Sequence, residues 1–354
     1  MKNWLLLLLV AGAVAGAQGE DFAPVRPEAR LAFPQDLGSH PEYRTEWWYI
    51  TGWLDAKDGP LGFQVTFFRS RQALKGKNPS RFTPQQILIA HCALSDPRRG
   101  HLWQDQRVRR AGLGLAEAAA GDTHVWIDTW ALEHRGGVYK ADTDAADFAL
   151  HLELVQQESP LLNGDAGFSR KGPLPSDASD YYSIPHLQVS GTVLRGASAA
   201  TVSGEAWLDH EWSSEYLDPE AVGWDWVGLN LDHGAALMAF RIRTAQGTTL
   251  WAGGTYRNGA GDTRAYSPAD IEFTPTRRWI SPRTGVTYPI EWDLRAGENR
   301  VHLKPLMDDQ ENDTTMSTGA IYWEGAVRVS DAAAREVGKG YLELTGYGER
   351  LRLR

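Results

Sequence analysis

The sequence predicts an all-β fold of two consecutive antiparallel barrel or sandwich domains with few short helices. Short strand-like runs separated by Gly-, Pro-, Asp- and Ser-rich links recur along the chain, a rhythm typical of β-sandwiches and barrels. The chain has 354 residues, which at roughly 150 residues per domain suggests about two domains. A tryptophan-bearing strand, a glycine turn and an apolar strand open both halves, at residues 46–69 and 224–243. This recurrence indicates weak internal duplication.

Residues 1–17 have the pattern of an export signal. Lys2 provides a positive charge, residues 4–14 form an apolar run, and Ala15-Gly16-Ala17 resembles a small-residue cleavage site. The run is shorter than the roughly 20 residues that cross a bilayer. We therefore expect residues 1–17 to be removed and the mature chain, without a transmembrane segment, to be periplasmic or secreted. The rest is divided into an N-terminal domain, residues 18–212, and a C-terminal domain, residues 213–354.

Composition excludes several classes of function. The net charge is −9 without a basic stripe, which argues against binding to nucleic acid. Cys92 is the only cysteine, so no internal disulfide forms, and its apolar neighbours predict a buried strand residue. The sequence has no HExxH motif and its histidines are scattered, so we expect no metal. Gly112-Leu113-Gly114 lacks the third glycine of a dinucleotide-binding motif, and we expect no cofactor.

In the first half the sequence predicts a hairpin followed by short strands. Residues 46–54 and 61–69 alternate as strands around the Asp58-Gly59-Pro60 turn. Further strands are predicted at residues 87–94, 123–132, 138–142, 148–155 and 187–194. Residues 113–120 are the best helical candidate, and residues 161–183 form a Gly- and Pro-rich segment typical of a lid or binding loop.

The second half has the same predicted pattern of a hairpin followed by short strands. A hairpin at residues 223–231 and 235–243 turns at Asp232-His233-Gly234. Strands then follow at residues 251–256, 270–274, 287–294, 300–305, 319–329 and 340–344.

The window from residue 204 to 226 is the densest in both aromatic and titratable side chains. Strand alternation divides it into two faces, Leu208, His210 and Trp212 on one and Trp207, Asp209 and Glu211 on the other. We expect His210 and Trp212 to line a cavity while Asp209 orients a group from behind. The alternative is a boundary between two domains that is filled by tryptophans, with the acidic side chains exposed to solvent.

A second cluster surrounds Glu46. Arg44 lies on the same strand face and is expected to pair with it, although such a pair on a surface strand contributes almost nothing. In the other interpretation Glu46, Trp47 or Trp48 lies in a pocket with His210 and Trp212. The predicted ligand-binding residues are Glu46, Trp47, Trp48, Tyr49, His91, Trp207, Trp224 and Trp226.

Tryptophan is unusually frequent, with 15 residues, of which only Trp4 lies in the predicted signal. Because a buried indole usually needs a partner for its N–H, this abundance favours pocket walls and interfaces over a dry core. We expect rings from both halves to enclose a cavity for a long apolar molecule. Stacking on sugars fits the same composition.

If the cavity is catalytic, acid chemistry fits it best. A carboxyl group in an apolar site keeps its proton near neutral pH, so Asp209, Glu211 or Asp225 could protonate a double bond. Indole faces would stabilise the resulting cation by up to about 2 kcal/mol. His210 would position a water molecule or relay a proton.

Several motifs together resemble a known family: EWWYITGWL from Glu46, LGFQVTFF from Leu61, GEAWLDHEW from Gly204, WDW from Trp224, YWEGAVRV from Tyr322 and GYLELTGYG from Gly340. The chain is similar to the two-domain lipocalin-like proteins that include AttH-type exported proteins and carotenoid 1,2-hydratases. This resemblance implies two consecutive lipocalin-like barrels, each able to enclose an apolar ligand.

The resemblance also implies candidate site residues. In the hydratases an Asp-His-x-Trp motif contributes to the site, and here it is Asp209, His210 and Trp212. Those enzymes carry a Tyr-x-Asp on a following strand, whereas residues 237–241 here contain neither residue. The AttH-type members, which are exported and associated with transport systems, resemble this chain more closely.

Three functions follow as hypotheses. The first is an exported carrier of a lipophilic, isoprenoid- or lipid-like small molecule, linked to a membrane transporter complex. The second is a hydratase or isomerase that acts on an isoprenoid substrate through Asp209 and His210. The third is a carbohydrate-binding or glycan-processing protein.

Overall fold

The computed structural model describes residues 22–73, 80 and 82–351 of the chain. The predicted signal, residues 1–17, lies outside them. The strands of the first sheet are β1 (Thr45–Ala56), β2 (Gly59–Arg71), β3 (Gln86–Ser95), β4 (Trp103–Arg110), β5 (Ala116–Ala118), β6 (His124–Ile127), β7 (Trp130–Arg135), β8 (Val138–Asp144), β9 (Phe148–Val155), β10 (Leu161–Leu162), β11 (Phe168–Arg170), β12 (Ala178–Arg195) and β13 (Ser198–Ser213).

The second sheet follows in sequence. Its strands are β14 (Ala221–Leu231), β15 (Ala236–Thr244), β16 (Thr249–Arg257), β17 (Thr263–Tyr266), β18 (Ile271–Ile280), β19 (Thr287–Ala296), β20 (Asn299–Pro305), β21 (Glu311–Thr314), β22 (Ala320–Ser330) and β23 (Glu336–Leu344). Short 3₁₀ helices occupy Gln35–Leu37, Asp232–Gly234 and Pro268–Asp270. In the part of the chain that the structure describes, no helix has the length and apolar character needed to cross a membrane.

Both sheets are antiparallel and strongly curved. The first runs β4-β3-β2-β1-β13-β12-β9-β8-β7-β6-β5, with β10 and β11 attached to β12. It curls until β3 and β4 contact β6. The second runs β17-β16-β15-β14-β23-β22-β20-β19-β18, with β21 attached to β22, and its end strand β18 contacts β15 and β16. The predicted fold class, two consecutive lipocalin-like antiparallel domains, is confirmed.

The central strands are buried on both faces, which explains their nearly continuous apolar sequences. Along β1, Trp48 and Ile50 point into the core of the first sheet, whereas Tyr49 and Trp53 point toward the second sheet. Burial of alternate residues on two sides follows from the period of two in a strand. The two sheets therefore pack face to face. Trp53 Nε1 donates a hydrogen bond of 3.0 Å to the Gly340 carbonyl across this interface.

Two local predictions are wrong. Residues 113–120 contain turns and β5 instead of a helix, since Leu113 adopts a φ of 59° between two glycines of positive φ. Residues 161–183 contain β10, β11 and the start of β12, so about half of the predicted loop pairs with the sheet. The chain leaves the first sheet at Ser213 and enters the second at Ala221. The domain boundary after residue 212 stays a prediction.

Candidate functional site

A cavity of about 780 Å³ lies between the two sheets, and we call it the interface chamber. This volume lies in the range of small-molecule sites. The aromatic residues on its wall are Trp47, Tyr49, Phe68, Tyr181, Tyr216, Trp224, Trp226, Phe240 and Tyr322. Its charged residues are Glu46, Arg69, Lys171, Asp209, Glu211, Glu343, Glu349 and Arg350. The chamber is therefore rich in aromatic side chains and also carries several buried ionisable groups.

Asp209 on β13 is a buried carboxyl group of the chamber wall. It accepts hydrogen bonds from Tyr181 Oη at 2.7 Å, Ser183 Oγ at 2.5 Å and Trp207 Nε1 at 2.6 Å. Burial raises the pKa of Asp209 to about 7, and the three donors limit the rise because they stabilise the carboxylate. Asp209 therefore holds or releases a proton close to neutral pH.

Beside Asp209 lies a buried ion pair that the sequence did not reveal. Lys171 Nζ is 2.8 Å from Glu211 Oε1 and donates to Ser169 Oγ at 2.9 Å. The same ammonium group lies 4.3 Å from the ring centre of Phe240 and 4.6 Å from that of Tyr181. Burial lowers the pKa of Lys171, while Glu211 acts to raise it. A lone lysine in a Gly- and Pro-rich segment carries no sequence signal of burial.

The opposite wall carries a second acidic group. Glu343 on β23 accepts a hydrogen bond of 2.8 Å from Trp224 Nε1. In the register of β22 and β23, Glu343 is directly opposite Glu324, which is buried. Burial raises the pKa of Glu324 to about 7 and that of Glu343 well above its ordinary value, the charge of Glu324 adding to the latter. Carboxyl groups from both sheets thus face the same chamber.

His210 and Trp212 lie on the opposite face of β13, inside the first sheet. The His210 ring stacks on Trp48 at 4.6 Å between ring centres, and its nitrogens contact Tyr182 Oη and Glu46 Oε1, each at 2.9 Å. Burial lowers the pKa of His210 to about 4. The alternation along β13 was predicted correctly, but the assignment of its faces was reversed, because Asp209 faces the cavity and His210 the barrel core.

Glu46 links this core cluster to one end of the chamber. Its Oε2 is 2.6 Å from Arg69 Nε and its Oε1 is 2.8 Å from His40 Nδ1. The expected pair with Arg44 is wrong, since Arg69 on the adjacent strand takes that place. Burial would raise the pKa of Glu46, but hydrogen bonds from His210 and His40 and the charge of Arg69 lower it.

His40, Glu46 and His210 each offer a ligand atom, and these atoms lie within 4.8 Å of one another. The arrangement has the donor types of a metal site. However, Arg69 already neutralises the Glu46 carboxylate in a fully buried contact. We therefore interpret the cluster as a hydrogen-bonded ion-pair network.

The sequence matches the model of the AttH-like family over residues 24–347. The chain belongs to the AttH-like family. A crystal structure of an AttH protein from Nitrosomonas europaea is 48% identical, with a TM-score of 0.86, and the match covers 92% of this chain and 100% of that chain. The family resemblance inferred from the motifs is confirmed. No curated protein sequence matches this chain significantly.

Two more distant structures share the fold of this AttH-like protein. Kievitone hydratase from Nectria haematococca is 13% identical with a TM-score of 0.68, and the match covers 93% of this chain and 96% of that chain. CghA is 14% identical with a TM-score of 0.55 and coverages of 95% and 98%. At these identities the likeness concerns the fold alone.

The structure brings most of the predicted ligand-binding residues of this AttH-like protein together. Glu46, Trp47, Tyr49, His91, Trp224 and Trp226 line the chamber. Trp207 donates to Asp209 and lines a smaller groove of about 360 Å³ elsewhere in the interface. Trp48 lies in the first core with His210, and Asp225 is buried against Arg241 and Arg243 of the second sheet. Sequence reasoning missed Lys171, Tyr181, Glu324 and Glu343.

Proposed function

We propose that this AttH-like protein binds a lipophilic, isoprenoid- or lipid-like molecule in the interface chamber and performs acid–base chemistry on it. One observation carries the proposal: Asp209, with a pKa of about 7, lies on the wall of an aromatic chamber. A chamber built only for storage gains nothing from burying carboxyl groups and a lysine, since burial of charge costs free energy. A general acid is most effective when its pKa lies near the working pH.

The chemistry that this arrangement supports is addition of water to a double bond, or migration of that bond. Protonated Asp209 would transfer its proton to an alkene carbon, leaving a carboxylate and a carbocation. The faces of Trp47 and Trp226 would stabilise the cation. Water adding to the cation would return a proton to Asp209 and complete hydration. Loss of a proton from a neighbouring carbon would complete isomerisation. The fold shared with kievitone hydratase supports this reading at the level of architecture.

A second candidate is a carrier that performs no chemistry. The observation favouring it is the set of three donors around Asp209, because hydrogen bonds to a carboxylate stabilise its ionised form. In this reading the protein, exported through residues 1–17, would deliver its ligand to a membrane transporter complex in the periplasm or outside the cell.

The first experiment identifies the ligand class. Protein purified from its native host is extracted with organic solvent, and the extract is analysed by mass spectrometry. Fluorescence titration with a polyene and with an oligosaccharide then compares apolar with sugar ligands. Saturable quenching by the polyene alone is expected, whereas quenching by the oligosaccharide alone would support the carbohydrate hypothesis.

The second experiment separates enzyme from carrier. The extracted molecule is incubated with the protein and with Asp209→Asn, and both its binding and its conversion are followed. Binding that survives while the product disappears supports acid catalysis by Asp209. Binding without conversion by either protein supports the carrier.

A further inference from the structure

Glu324, which is buried, and Glu343, which is half-buried on the chamber wall, differ from the other buried glutamates of this protein. Three other buried glutamates each contact a cation. Glu46 lies 2.6 Å from Arg69, Glu211 lies 2.8 Å from Lys171, and Glu311 lies 3.3 Å from Arg283. Within residues 22–73, 80 and 82–351, neither Glu324 nor Glu343 forms an ion pair. The two carboxyl groups therefore lack the positive partner that the other buried glutamates have.

The positions of Glu324 and Glu343 make the absence of a cation energetically unfavourable. The two residues are directly opposite each other on β22 and β23, where side chains of neighbouring strands lie about 5 Å apart. Like charges in this arrangement repel each other, and burial removes the water that would screen them. A bound positive charge, or a proton shared by the pair, would relieve the repulsion.

Unpartnered oxygen atoms mark the same place. Glu324 Oε1 and Tyr49 Oη are buried beside each other, and among the described residues no further group is in hydrogen-bonding geometry with either atom. Tyr49 lines the chamber, is only 7% exposed and lies beside Glu324. Buried polar atoms are normally paired, so these two point to a polar group contributed by a ligand or by water.

Aromatic rings surround the acidic pair on the chamber side. Trp224 donates to Glu343, and Trp226 packs edge-on against Tyr49 with 5.3 Å between ring centres. Indole and phenol faces attract cations, most strongly where water is excluded. Together with the carboxyl groups they form an environment suited to a quaternary or protonated nitrogen.

The positively charged side chains that line the chamber do not neutralise the carboxyl groups of Glu324 and Glu343. Lys171 is paired with Glu211, Arg69 with Glu46, and Arg350 donates to the carbonyl of Pro219. Burial lowers the pKa of His91, the chamber's histidine, to about 3, so it is neutral.

We propose that the wall formed by Tyr49, Trp224 and Glu343, with Glu324 directly opposite Glu343 on the neighbouring strand, binds a positively charged nitrogen of the lipophilic ligand. The ligand class is thus an apolar molecule that carries an ammonium group. This inference rests on the proposed binding of a lipophilic molecule in the chamber and adds its charge. We expect the cation to displace a proton from this pair of carboxyl groups when it binds.

The test uses three probes with the same alkyl chain, decyltrimethylammonium, decanol and decanoate, below their micelle concentrations. They are titrated into the mature protein at pH 7 by isothermal titration calorimetry in two buffers of different ionisation enthalpy. We expect the ammonium probe to bind about tenfold or more tightly than decanol, in line with a desolvated cation–π contact. Its binding should release up to about one proton, whereas binding of decanol should release none.

The variants Glu343→Gln and Glu324→Gln test the assignment, and Glu298→Gln, an exposed glutamate paired with Arg264, is the matched control. The preference for the ammonium probe should disappear in the first two variants and persist in the control, with binding of decanol retained in all three. Equal binding of ammonium and decanol to the unaltered protein would overturn the inference while leaving lipophilic binding intact. Binding of none of the probes would overturn both.

Discussion

Lys171 Nζ lies 2.8 Å from Glu211 Oε1, in a contact where both side chains are almost completely buried. This pair ties the segment between β11 and β12 to β13, and it forms part of the chamber wall. Two charges withdrawn from water are tolerated only together, because either one alone lacks compensation for its lost hydration.

Removal of Lys171 should therefore be strongly destabilising. We expect Lys171→Met to lower the free energy of unfolding by about 3–5 kcal/mol, since it leaves the Glu211 carboxylate buried without a cation. Urea denaturation followed by circular dichroism measures the change. Lys140→Met, which removes an exposed pair with Glu153, is the control and should cost less than about 1 kcal/mol. A similar cost for both variants would contradict the importance assigned to burial.

Stability should fall as the pH rises through the titration of Asp209. Burial raises its pKa in the folded protein to about 7, compared with about 3.9 in an unfolded chain. Between these values the folded protein holds a proton that the unfolded chain has released, so rising pH favours unfolding. Asp209→Asn should reduce this loss by about 1.4 kcal/mol per pH unit between pH 4 and 7. Denaturation curves across that range would show it, and parallel pH dependences for the two proteins would refute it.

His40 should also make stability fall as the pH rises, but over a higher pH range than Asp209. Burial acts to lower its pKa, but hydrogen bonds and charges of Asp36 and Glu46 raise it to about 9. The stability that protonated His40 contributes is fully present below about pH 6.5 and is lost as the pH rises through 9. We expect His40→Gln to weaken the pH dependence of the melting temperature between pH 6.5 and 9. NMR titration of the His40 ring provides a direct check, and a midpoint near 6.5 would argue against the network.

Substitution of His210 should lower stability, whereas substitution of Trp226 should weaken ligand binding. His210→Ala should cost about 2–4 kcal/mol of stability, because it removes one hydrogen bond of Glu46 and leaves the Tyr182 hydroxyl without its partner, but should leave decanol binding unchanged. Trp226→Ala removes chamber wall and should weaken decanol binding about tenfold. Calorimetric titration of both variants tests this, and loss of binding in His210→Ala would place His210 in the site after all.

The all-β architecture was predictable because alternation, turn residues and tryptophan-bearing hairpins all favour the same fold. The helix predicted at residues 113–120 failed because composition favoured a helix that the positive-φ turns around Leu113 exclude. Residues 161–183 were interpreted as a loop because Gly and Pro dominate them, yet part of the segment pairs with β12. Strand pairing depends on contacts distant in sequence, which local composition does not report.

The sequence alone determined that Asp209 and His210 lie on opposite faces of one strand, because side chains in a strand alternate. It also identified Trp47, Tyr49, Trp224 and Trp226 as wall residues. Only the tertiary structure decided which face of β13 meets the chamber, because both faces are buried and aromatic and so look alike in sequence. It alone brought Lys171 to Glu211 and set Glu343 opposite Glu324, since these contacts depend on how strands pair and how the two sheets pack.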